Sequence, residues 1–132
     1  MRKAFAVLLP LAAFALAAAA PVVAPAAFTI GGEPFAQADI LDARAMPDVD
    51  GSAAIMLTFS PAAAKRLARV TATGIGKPLP VALDGKVLVA PMIEAPIDGG
   101  VIEMAGHFAL PEAEALAKRI SGKDPLPDSL DQ

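Results

Sequence analysis

The chain has 132 residues, 55% of them hydrophobic, with no Cys, Trp or Tyr and a formal net charge of −3. That length fits one small domain. The acidic balance excludes a nucleic-acid footprint and a polybasic hold on anionic lipid, and the lack of any thiol excludes disulfides, so Phe and branched aliphatic residues must hold the fold.

Arg2 and Lys3 precede an uncharged run of Ala, Leu, Phe and Val that ends in small residues from Ala17 to Ala20. This is the pattern of a secretory signal over residues 1–20, with cleavage expected between about residues 19 and 26. Its removal would leave nine basic against fourteen acidic residues, a net of −5. An uncleaved anchor is the competing reading, because about 20 apolar residues suffice to span a bilayer. The Ala content and Pro10 argue against it, and the absence of Cys excludes a lipoprotein anchor. The expected location is the periplasm or the exterior, with membrane attachment only through an uncleaved leader.

Residues 21–39 hold Pro21, Pro25, Pro34 and Gly31-Gly32 and read as a linker, with at most a short strand at Phe28–Ile30. The domain is expected over residues 40–122. A strand from Ile40 to Met46 leads through a turn at Pro47–Gly51 into Ala53–Phe59, where Ile55, Leu57 and Phe59 alternate with Ala54, Met56 and Thr58. The two form an antiparallel pair.

Ser60-Pro61 marks a helix start, since the hydroxyl can cap free amides and proline suits the first helical position. Ala64, Leu67, Ala68 and Thr71 then define an apolar face opposite Lys65, Arg66 and Arg69, and Gly74 and Gly76 stop the helix. Leu79, Val81 and Leu83 are separated from Val87 and Val89 by Asp84-Gly85, which takes the positive φ angles of a two-residue type I′ hairpin. Pro91 and Pro96 punctuate the next segment, Gly99-Gly100 turns, and Val101–Phe108 is a further strand. The last helix, Pro111–Ile120, places Ala113, Leu116, Ala117 and Ile120 on one face and spaces Glu114 and Lys118 for an i to i+4 pair, with Gly122 as its cap. Residues 123–132 read as a frayed tail.

The chemistry of an enzyme is missing. His107 is the single histidine and reads as a partly exposed turn residue. Ser60 lacks the glycine elbow of a nucleophile, Gly74 and Gly76 follow a helix rather than a strand, and Asp48 with Asp50 lack the other ligands of a calcium loop. Glu112 and Glu114 suit the start of a helix better than a hydrolytic cleft. No catalytic residue, metal or cofactor is expected, and the protein reads as a non-enzyme.

From Ala53 to Gly122 the chain resembles the head subdomain of the first periplasmic domain of SecD. The resemblance runs in order through the strand and helix of Ile55–Thr71, Pro78-Leu79, the hairpin Val81–Ala90 with Pro91, Pro96-Ile97, Gly99-Gly100, Gly106-His107-Phe108 and Glu112-Ala113. Ala109 stands where that family tends to place Thr. The resemblance implies a small α+β domain, an antiparallel sheet with two helices packed on one face. It also implies a role outside the inner membrane in contact with emerging polypeptide and the export machinery. No span beyond the leader is legible, so proton coupling is not carried over. The expected function is a module that binds extended or unfolded polypeptide by strand-edge pairing and shallow apolar contacts. Its expected surface is Ala90–Gly100, with Met92, Ile93 and Ile97 near the exterior; the competing reading makes these three core. The functional alternative is a structural or docking domain of an envelope complex that handles no clients.

Overall fold

The computed structural model describes residues 27–127; the leader, its cleavage window and residues 128–132 lie outside the described residues. The chain runs through β1 (Phe28–Ile30), β2 (Glu33–Phe35), a 3-10 turn (Gln37–Asp39), β3 (Ile40–Pro47) and β4 (Ser52–Phe59). It continues through α1 (Pro61–Ala72), β5 (Val81–Leu83), β6 (Lys86–Val89), β7 (Val101–Ala109) and α2 (Leu110–Ser121). Among the described residues no helix is long and apolar enough to cross a membrane.

The α+β class holds, with the strands divided between two antiparallel sheets rather than collected in one. Their orders are β2-β1-β5-β6 and β3-β4-β7. β4 shows why the second sheet was legible: Ala53, Ile55, Leu57 and Phe59 are buried while the residues between them are half-buried. Its inward row meets Ala43 and Ala45 of β3 and Ile102, Met104 and Phe108 of β7. α2 lies across this sheet and buries Ala113, Ala117 and Ile120.

The first sheet corrects the expected domain start. Residues 28–35, read as linker with at most a short strand at Phe28–Ile30, do form that strand, and it pairs Phe28 with Leu83 and Ile30 with Val81, all four buried. Phe35 joins the same core, its ring centroid 5.3 Å from that of Phe59. A three-residue strand has no period to read, and the Pro and Gly around it belong to its hairpin with β2 rather than to a linker.

α1 starts as its sequence demands, with Ser60 Oγ accepting from the Ala63 amide at 3.3 Å. Its supposedly wet face is not all wet. Arg66 lies 4.6 Å over the Phe35 ring, reaches Glu33 and Asp39 at 3.2 Å each, and donates to the Pro34 carbonyl. α2 starts at Ala109 without a side-chain cap, a loss of about 1 kcal/mol against Ser or Thr. It ends on Gly122 in the left-handed region, whose amide donates to Lys118 at 2.7 Å. Lys118 pairs with Asp124 at 3.3 Å instead of with Glu114, because the chain beyond the helix folds back.

The Asp84-Gly85 hairpin is as expected: φ is 51° at Asp84 and 81° at Gly85, and Leu83 pairs with Lys86. Asp84 also ties the hairpin to the chain on both sides, accepting from the Ala27 amide at 2.9 Å and from Arg119. Gly85→Val should therefore cost about 1–2 kcal/mol, from conformation alone, since no atom lies within 4 Å of the added Cβ. Lys86→Ala, at an exposed position, should change little; equal melting temperatures for the two variants would contradict this turn.

Candidate functional site

His107 is exposed within β7. Among the described residues no three His, Cys, Asp or Glu gather as metal ligands. Asp48 accepts from the Val49 amide at 2.7 Å, and Asp50 accepts from the Ser52 hydroxyl at 2.6 Å and its amide at 2.9 Å. These bonds from Ser52 hold the Asp50 carboxyl below its ordinary value. Gly76 serves the core by donating its amide to Ile93 at 2.8 Å.

The segment Ala90–Gly100 is not uniformly superficial. Met92 is 59% exposed, Ile97 is half-buried and Ile93 is 6% exposed. Ile93 is thus core, pulled inward because its amide and carbonyl bond to Lys77 and Gly76 while the Pro91 carbonyl accepts from Leu79 at 2.7 Å. Ile97 is pinned by its amide, which donates to Thr71 Oγ1 at 2.8 Å. Buried Thr71 in turn donates to the Leu67 carbonyl at 2.8 Å, so no polar atom there is orphaned. Met92, Ile93 and Ile97 do come together, lining with Leu79 and Val101 a cavity of about 310 Å³ at the start of β7.

A second concavity went unseen in the sequence. A groove of about 930 Å³ runs between β3, α2 and residues 124–127, with Met46, Met56, Pro111, Ala115 and Leu126 among its lining. Its outer wall is the stretch read as frayed. Leu126 donates its amide to Asp42 Oδ1 at 2.8 Å, its carbonyl accepts from Arg44 at 2.9 Å, and Ser121 Oγ donates to Lys123. Residues 123–127 are thus a strap tied to β3. Tail composition hides such ties because they depend on side chains 84 positions away.

Asp42 is 7% exposed and lies 2.6 Å from Arg44 Nε. Burial pushes its carboxyl up, but the Arg44 guanidinium and the Leu126 amide outweigh that, and the group titrates below its ordinary 3.8. The stabilisation is complete above 3.8 and is lost as pH falls through the lower folded value. Protection of the Leu126 amide, measured against its intrinsic exchange rate, should fall in that acid window, and Asp42→Asn should cost about 1.5–3 kcal/mol at neutral pH and remove the acid step. Unchanged protection across the window would contradict the tie.

The string of motifs is explained by packing. Gly100, with φ at 71°, sits against Ala64 of α1; Gly106 lies beneath the ring of Phe108; Ile97 is the residue that Thr71 holds. The order of these motifs is therefore the order of one fold, and a family model for the SecDF P1 head subdomain matches residues 16–123. The chain belongs to this family.

Among proteins similar to this SecD-type head, SecDF of Thermus thermophilus is 42% identical over 91 residues, covering 68% of this chain and 12% of its own. SecD of Acidaminococcus fermentans is 39% identical over 79 residues, 60% of this chain and 19% of its own. Both are protein translocase subunits. The chain thus spans less than a fifth of the length of these relatives. A solved SecDF, described as a membrane component that enhances protein export, superposes with a TM-score of 0.62 at 39% identity, covering 73% of this chain and 44% of that one.

Proposed function

We propose that this SecD-type head is a non-catalytic module of protein export that acts outside the inner membrane and binds extended or unfolded polypeptide. Membership in the SecDF head family carries the reading, since its relatives are protein translocase subunits. The surfaces on offer agree with it. Both sheets end in edge strands, which can add a chain through main-chain pairing, and the cavity around Met92 and Ile97 offers a shallow apolar contact. Titration of the isotope-labelled protein with a reduced, unfolded polypeptide tests the reading by NMR. Micromolar to millimolar affinity with weak salt dependence is expected, because the domain is acidic and unsteered by charge. Folded proteins should not compete. No shift at millimolar client would leave the docking module of an envelope complex in its place, and co-purification with a translocon subunit alone would point the same way.

A further inference from the structure

The groove beside β3 differs in kind from the cavity at Met92. Arg44 and Met56 are cross-strand partners, so Arg44, Met46 and Met56 share the outer face of the β3-β4-β7 sheet. Pro111, Ala115 and Lys118 belong to α2, which packs on the inner face. A groove walled from both faces of a sheet has to pass its edge. The edge there is β3, the terminal strand of its sheet. From Leu41 to Pro47, β3 pairs only with β4 among the described residues. Alternate N–H and C=O groups of this strand therefore face away from β4 and towards the groove.

Resting on the polypeptide-binding reading above, we propose that the outer edge of β3 over Arg44–Pro47 is a strand-pairing site for an extended, apolar polypeptide segment, lying between α2 and the strap. An open strand edge asks for another main chain, which neither a lipid tail nor a compact apolar ligand supplies. The strap already seats one segment of chain against this strand, through Leu126, and it bonds to the side chains of Asp42 and Arg44 rather than to the main chain of β3. The wall cations Arg44 and Lys118 are each held by a neighbouring carboxylate, Asp42 and Asp124, so the groove does not ask for an anionic occupant. Met46, 40% exposed, and the half-buried Met56 offer unbranched, polarisable surface that adapts to different side chains. Such a site would accept many sequences as long as they are extended.

The test is a titration of the isotope-labelled chain with a blocked peptide of alternating Val and Thr, about twelve residues long and thus able to cover a strand. Amide shifts are expected at residues 42–47 and 124–127. Met46→Lys, a charge that edge strands tolerate, should weaken binding at least about fivefold with the melting temperature unchanged. Met92→Lys, beside the start of β7 at the opposite edge of the same sheet, should change it less than about twofold. Shifts confined to residues 90–103, or wild-type affinity in Met46→Lys, would overturn the β3 site while leaving polypeptide binding intact. No binding of this peptide or of the unfolded polypeptide to the unaltered chain would overturn both. The shift map needs no variant, so a misfolded Met46→Lys would not blunt the result.

Discussion

Gly100→Val should destabilise the domain by about 2–5 kcal/mol, the sum of left-handed strain in a β-branched residue and overpacking against a helix. Gly100 is buried with φ at 71°, and an added Cβ would come within 3.1 Å of the Ala64 Cβ and 3.8 Å of the Phe59 carbonyl oxygen. Neither neighbour yields easily. The Gly100 carbonyl accepts from the Phe59 amide at 2.8 Å, so the loop is fastened where β4 turns into α1. Gly99→Ala is the control, because φ there is not positive and nothing lies within 4 Å of its added Cβ. Urea denaturation should separate the two clearly; similar midpoints would mean that Gly100 is not the fixed point between β4 and α1.

Gly106→Ala should cost about 1–3 kcal/mol for a different reason. Its φ is not in the left-handed region, so the backbone tolerates alanine, but the new methyl would stand 2.6 Å from Cε2 of Phe108. That ring is 9% exposed and belongs to the core, so it cannot swing away without leaving a void. The register between β4 and β7 shifts between Ala53 and Ile55, which gives the chain around Gly106 the extra length to bring the ring back over the glycine. If this is the cause, the alanine methyl should cost almost nothing in a Phe108→Ala background. A double-mutant cycle on urea midpoints measures that coupling, and additive losses would refute the ring contact as the origin of Gly106.

The two glycines also show what the family likeness contains. Asp84-Gly85, Gly99-Gly100 and Gly106-His107-Phe108 were legible as motifs, and each has a backbone or packing reason. The apolar residues of Ala90–Gly100 divide for the same reason: Met92 faces outward, while Ile93 is held inward by the bonds of its main chain to Gly76 and Lys77. Three apolar residues between prolines carry no period from which to read their direction.

By itself the sequence determined the parts whose signals are local. Alternation set β4, Ser60-Pro61 set the start of α1, Asp84-Gly85 set a two-residue hairpin, and Gly122 closed α2, because each depends on backbone preferences within a few residues. Only the tertiary structure decided that β1 belongs to the core through a partner over 50 residues away, that Arg66 clamps α1 to the β1–β2 hairpin, and that the strap is tied to β3 by Asp42 and Arg44. Those contacts join residues distant in the chain, and their energies come from burial and charge pairing that no local pattern records. The groove beside β3 is their product: it exists because a strand edge, a helix and a returning chain happen to be neighbours in space.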